Sequence, residues 1–153
     1  MIHLRAVTEK DLPFIEKVYR STREKGLDMA NWPELRKEAF FRMQSVMQDA
    51  EYKHNFPNAV FEIIEDGKKP VGRLYTAETE NEIWVIDISL LSEFRGKGIG
   101  SKVLQGIMAK VADQQKILSL HVEPNNPAYR LYLKLGFKYL KSNGRHYHME
   151  YKP

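Results

Sequence analysis

Three glycines and three cations crowd into one stretch, Phe94-Arg95-Gly96-Lys97-Gly98-Ile99-Gly100-Ser101-Lys102. Glycines let a backbone pass close to a ligand, and a helix starting there would point its unpaired N–H groups at the same spot. Arg95, Lys97 and Lys102 add positive charge, so the chemistry is that of a diphosphate site. Spacing narrows the guest. A Walker loop needs Gly-Lys-Ser/Thr in that order, whereas Gly100 is followed by Ser101-Lys102. A dinucleotide fingerprint needs Gly-x-Gly-x-x-Gly, and Gly96-x-Gly98-x-Gly100 is one residue short. Arg-x-x-Gly-x-Gly fits, as Arg95, Gly98 and Gly100.

A second cluster stands downstream, Asn125-Asn126-Pro127-Ala128-Tyr129-Arg130-Leu131-Tyr132-Leu133-Lys134-Leu135-Gly136-Phe137. The two stretches, in this order and about a strand and a helix apart, resemble the two signatures of the GNAT superfamily of acyl-CoA-dependent N-acyltransferases. The resemblance runs from about Val60 to the C-terminus and is echoed in Leu4-Arg5-Ala6 with Thr8-x-x-Asp11-Leu12. It implies one GNAT-like domain over residues 1–153 and an enzyme moving an acetyl group from acetyl-CoA to a primary amine.

The resemblance also implies roles. Backbone from Gly96 through Lys97, Gly98, Ile99 and Gly100 to Ser101 would cradle the pyrophosphate, with Arg95 beside it. The pantetheine arm would pair with Ile88, Ser89 and Leu90, and an N–H at Leu90 would face the thioester oxygen. Tyr132, in Leu-Tyr-x-x-x-Gly-Phe, would be the general acid for the leaving thiolate; the other reading is a helix aromatic packed on Phe137. Asn126, or Asn125 next to it, would touch the pantetheine.

The base is read from the residues themselves. An alkylamine with a pKa of ~10.4 is mostly protonated at pH 7, so something must accept a proton. Asp87 is the one charge within the apolar run Ile83–Leu91 and is the first candidate; a structural carboxylate held by a basic partner is the alternative. His121 and Glu123 follow, alternating with Ser119 on the next strand. No metal site is expected, because His146 and His148 lack an obvious third ligand.

The elements that must position these groups follow from periodicity. Ile2–Ala6 reads as a strand, and Thr8 with Asp11 forms a capping box for a helix carrying Leu12, Ile15, Val18 and Tyr19. Gly26 ends it. A second helix from Pro33 is expected to bury Leu35, Phe40, Met43, Val46 and Met47, and the loop between the helices, with Asp28, Met29 and Trp32, to line a substrate pocket. Val60–Glu65 and Val71–Ala77 form a hairpin around Asp66-Gly67, and Glu82–Leu91 is the third strand. A helix from Gly98 to about Gln114 crosses to a strand at Ile117–Val122, parallel to its predecessor. Asn126 caps the next helix, Gly136 ends it, and a hairpin around Asn143-Gly144 closes the chain. The order β1-α1-α2-β2-β3-β4-α3-β5-α4-β6-β7 gives an α/β (α+β) fold with a mixed, mostly antiparallel sheet, unlike a doubly wound one.

At 153 residues, 42% hydrophobic and 29% charged, the chain suits one globular domain. It has no cysteine, hence no disulfides or thiolate metal sites. No apolar run approaches the ~18 residues of a membrane span, so a cytoplasmic protein with no membrane partner is expected. A net charge of +4 with interleaved signs is compatible with nucleic acid and with a phosphorylated cofactor and diagnostic of neither; no nucleic-acid partner is expected. An acyl-CoA-binding regulatory module without turnover is the alternative function. The acceptor is a small-molecule, protein or peptide amine, Asp28, Glu34, Glu78, Glu80 and Glu82 being candidates to receive it. Monomer and homodimer both stay open.

Overall fold

A computed structural model describes all 153 residues. Seven strands form one sheet in the order β1-β2-β3-β4-β5-β7-β6. They are β1 Ile2–Ala6, β2 Ala59–Asp66, β3 Lys69–Glu78, β4 Glu82–Leu90, β5 Ile117–Val122, β6 Lys138–Ser142 and β7 Tyr147–Tyr151. Only β4 and β5 run parallel. The helices are α1 Leu12–Arg23, α2 Glu34–Asn55, α3 Ile99–Gln114 and α4 Ala128–Leu135, in the expected element order.

The main core lies between one sheet face and α3 with α4. Ile83 and Val85 of β4, Leu118, Leu120 and Val122 of β5 and Met149 of β7 meet Val103, Leu104, Ile107 and Val111 of α3 and Tyr132 of α4. Such residues recur at a spacing of two on the strands and three to four on the helix, so each element presents one apolar face. Helices α1 and α2 cover the opposite face at β3 and β4, burying Ile15, Val18, Phe41 and Ile63. Arg5 of β1 fixes the entry to α1 with both terminal nitrogens 2.8 Å from Asp11 and its Nε 2.8 Å from Glu65. The Thr8 N–H donates to Asp11 at 2.8 Å, which realises the capping box.

Helix α2 turns the other way from expectation. Leu35, Met43, Val46 and Met47 are exposed, and Phe41, Ser45, Gln48 and Tyr52 face inward. The cause lies beneath it: Arg73, buried in β3, takes Gln48 of α2 as an acceptor at 2.7 Å. A buried guanidinium needs polar partners, so the polar stripe of α2 turns inward over it.

Gly72 sets the closeness of β3 to the end of β4. A Cβ there would lie 2.3 Å from the Ser89 carbonyl oxygen and 2.7 Å from Leu90 Cδ2. Gly72→Ala should destabilise the protein by about 1–3 kcal/mol in urea unfolding. An unchanged unfolding midpoint would show that β4 shifts freely at this point.

Candidate active site

Strand β4 leaves its parallel neighbour halfway along. Pairing with β5 runs from Glu82↔Ile117 to Val85↔Leu120 and stops there. On its other side β4 stays paired with β3 as far as Gly72↔Leu90. The register skips Ile86, passing from Thr76↔Val85 to Tyr75↔Asp87. A bulge bends its strand and raises the local twist, which here swings β4 away from β5. Residues 86–90 therefore keep an edge free of sheet partners. A cleft of about 750 Å³ opens in the gap, between the end of β4, the start of α3 and the start of α4.

The glycine stretch closes one end of this cleft. Gly96 and Gly98 have φ of 73° and 83°, a region that side chains disfavour, and Gly98 sits just before α3. The first helical bond runs from the Lys102 N–H to the Gly98 carbonyl at 3.1 Å. The N–H groups of Ile99, Gly100 and Ser101 precede it and have no helical partner. Arg95 holds the loop in shape, donating from Nε to the Leu90 carbonyl at 3.0 Å and from Nη2 to Ser21 of α1 at 3.3 Å. Lys102 lines a separate groove, beside β1.

Helix α4 forms the facing wall. Asn126 Oδ1 accepts the Ala128 N–H at 2.9 Å, which caps the helix, and both Asn125 and Asn126 line the cleft. Tyr132 lines it too, 7% exposed and packed on Phe137 with ring centroids 5.6 Å apart. Its phenol is pushed up to about 12 by burial and then by the charge of Asp87, so it stays protonated at neutral pH.

Asp87 is the floor of the other end, and it is not free. It accepts from Arg73 Nη2 at 2.8 Å, Ser89 Oγ at 2.5 Å and Tyr52 Oη at 3.2 Å. Arg73 is 1% exposed, so a proton added to Asp87 would strip a buried cation of its counter-charge. Its contact with Arg73 fits the alternative weighed from the sequence, a structural carboxylate held by a basic partner. Arg73 raises no surface signal but was legible: it is the one charge in the apolar run Val71–Ala77, as Asp87 is in the run Ile83–Leu91.

The sequence profile of the Acetyltransferase (GNAT) family matches residues 21–137. The chain belongs to the GNAT acetyltransferase family. An N-alpha-acetyltransferase of Sulfurisphaera tokodaii is 36% identical over 69 residues, which are 43% of this chain and 41% of that relative's length. The fold matches the PaiA N-acetyltransferase of Thermoplasma acidophilum, solved in complex with coenzyme A, with a TM-score of 0.72 and 19% identity over 100% of this chain and 99% of that one. An acetyltransferase of Thermus thermophilus superposes with a TM-score of 0.73 and 23% identity, over 100% and 97% of the two chains.

In this GNAT chain the cleft is lined in part by residues other than those expected. Thr22 and Arg23, at the end of α1, line it in place of the Gly26–Trp32 loop. Met29 of that loop is buried, and Trp32 lies under the Arg36 guanidinium, 3.8 Å from ring centre to charge. The candidate acidic residues lie elsewhere: Glu34 pairs with Arg20, Glu78 with Lys110 and Lys116, and Glu82 accepts from Ser119 at 2.7 Å. His121 and Glu123 do line the cleft, and His146 joins them from the turn before β7. The histidines are near one another, yet no three His, Cys, Asp or Glu side chains are arranged to hold a metal ion.

Proposed function

We propose that this GNAT protein transfers an acetyl group from acetyl-CoA to a primary amine by direct attack within the cleft. The observation that carries the proposal is the free edge of β4 running into the unpaired amides at the start of α3, with Tyr132 beside it. When bound, acetyl-CoA supplies an acyl carbon activated as a thioester. The amides of Ile99, Gly100 and Ser101 hold the diphosphate, and the turns at Gly96 and Gly98 bring the backbone close to it. The free edge at Ile88, Ser89 and Leu90 pairs with the amide groups of the pantetheine arm, and an N–H at Leu90 faces the thioester oxygen. Asn126 offers its remaining amide nitrogen to the same arm, its oxygen being engaged in the cap.

Tyr132 acts as general acid. A phenol held protonated by burial, yet lining the cleft, can give its proton to a departing thiolate. Arg73 and Asp87 do not exchange protons with substrate; they fix the floor on which the acceptor rests. The acceptor is a small-molecule amine or the amine of a peptide or protein.

Binding can be tested without an acceptor. Acetyl-CoA at 100 times its dissociation constant should add about 2.7 kcal/mol, raising the melting temperature by roughly 5–10 °C. NADH and ATP should give no shift. A shift with NADH and none with acetyl-CoA would replace this reading by a dinucleotide one.

A further inference from the structure

Where α1 and α2 no longer cover the sheet, a row of nitrogen-bearing side chains crosses its last strands. His121 of β5 stands opposite His148 of β7, and His148 stands opposite Lys141 of β6. Directly opposed residues share one face of a sheet, with Cβ atoms about 5 Å apart. The rings of His121 and His148 are 5.3 Å apart between centroids, and His146 stacks on His121 at 5.9 Å. Trp84 of β4 walls the group on one side, 4.9 Å from His121 and 5.2 Å from His148.

This row and the turn before β7 border a cavity of about 290 Å³, lined by His121, Lys141, Ser142, Asn143, His146 and His148. His121 and His146 also line the cleft of the proposed reaction, so the two spaces adjoin. Neither a carboxylate nor an apolar side chain lines the smaller one. At ~30 Å³ per molecule it has room for roughly ten waters, enough for an acid group and its remaining hydration.

Hydrogen bonding within the turn uses up acceptors and spares donors. Asn143 Oδ1 accepts the N–H groups of Arg145 at 2.9 Å and His146 at 2.7 Å, and Ser142 Oγ accepts that of Gly144 at 3.1 Å. What these side chains retain for a guest is chiefly the Asn143 amide nitrogen and the Ser142 O–H, both donors. Lys37, Lys110 and Lys116 each hold a carboxylate, and Lys141 does not. His148 Nε2 is buried without a hydrogen-bond partner. The Glu150 carboxylate, 4.0 Å away, is beyond hydrogen-bond reach and belongs to the next row, opposite Ser119 and Lys138. Free donors gathered around an unpaired ammonium match an anion.

We propose, on the basis of the acetyl transfer above, that this cavity is an anion subsite for the acceptor, and that the acceptor is a small-molecule amine bearing a carboxylate or phosphate. Lys141, His148, Ser142 and Asn143 hold the acid group while the amine enters the cleft beside His121. A polyamine would meet an ammonium and imidazoles here, with no carboxylate lining the cavity to receive it. The N-terminal amine of a peptide brings no acid group at a fixed distance, whereas an amino acid or an aminoalkyl phosphate does. The charge of Lys141 already reaches the cleft: the pKa of His121 lies below 6.5 through burial first and then through His148, His146 and Lys141. An anion in the cavity offsets those neighbouring charges and raises it again.

Matched acceptors test the subsite in the full chain. Amino acids are compared with their amides, and phosphoethanolamine with ethanolamine, so that each pair differs in its acid group. The acid-bearing member of at least one pair should be favoured in kcat/KM by roughly 10-fold or more, and the favoured pair tells carboxylate from phosphate. Lys141→Gln should raise KM for that acceptor about 10-fold, leave kcat and the acetyl-CoA KM nearly unchanged, and be largely rescued by Lys141→Arg. Inorganic phosphate gives a readout without turnover. In heteronuclear NMR it should shift the His148 ring saturably and raise the titration midpoint of His121, and Lys141→Gln should weaken both effects. Equal kcat/KM within every pair, or a Lys141→Gln variant that keeps the wild-type preference, would overturn the subsite. Preference for peptides over every acid-bearing small molecule would overturn the substrate class. A chain that binds acetyl-CoA but acetylates no amine defeats the acetyl-transfer reading instead; saturable phosphate shifts would then uphold the anion site, and their absence would remove it as well.

Discussion

Gly100→Asp should abolish coenzyme A binding and leave the fold intact. The substitution is favourable to the helix and hostile to the ligand. A Cβ at Gly100 meets nothing within 4 Å, and its φ is not among the positive ones, so no strain arises. Aspartate in the first turn of a helix is stabilised by the same unpaired amides that attract a phosphate. The carboxylate thus occupies the anion site and repels the diphosphate, at a cost of several kcal/mol, or roughly 10²- to 10³-fold in affinity. Calorimetric titration with coenzyme A measures that loss, and a thermal melt without ligand checks the fold. Gly98→Asp is a less clean probe, because φ at Gly98 is +83° and a side chain there adds about 1–2 kcal/mol of backbone strain. If Gly100→Asp binds coenzyme A as the wild type does, the stretch is only a strand-to-helix turn.

The second large effect falls on Tyr132. Tyr132→Phe removes one hydroxyl and almost no volume, so the packing on Phe137 survives and stability changes little. The proton that burial and Asp87 hold on the phenol is lost as a catalytic group. Turnover should fall roughly 10²- to 10⁴-fold. Acetyl-CoA affinity should stay nearly constant, since an interaction made only in the transition state leaves ground-state binding alone. An unchanged kcat with a destabilised fold would make Tyr132 a core residue and leave the thiolate to depart unaided.

The local structure at these two positions was legible in the sequence because its signals are local. The glycine turn and the Asn126-to-Phe137 helix are each defined within about a dozen residues, and their structures depend on caps and turns inside that span. The free edge of β4 was not legible, although the GNAT resemblance called for it. Whether two parallel strands part is decided by a one-residue bulge at Ile86 and by the partner each strand keeps on its other side. Helix α2 misled for a related reason. Phe41, Ser45, Gln48 and Tyr52 keep helical spacing, but three of them are polar or half-polar, so the stripe of Leu35, Met43, Val46 and Met47 drew the eye. Two solitary charges in neighbouring apolar strands, Arg73 and Asp87, were the readable hint that the space under α2 is ionic. The meeting of His121 with His146 and His148 depends on β7 inserting between β5 and β6, a sheet order that spacing along the chain does not reveal.

Acetyl transfer itself is tested most directly by following thiol release and amine product together. The purified protein with acetyl-CoA is offered simple alkylamines, amino acids, aminoglycosides and peptides with free N-termini. Free coenzyme A should appear only when an accepted amine is present, in equal amount to the acetylated amine identified by mass spectrometry. Tight acetyl-CoA binding with no amine-dependent thiol release across all four classes would contradict the account and leave a binding module in place of an enzyme.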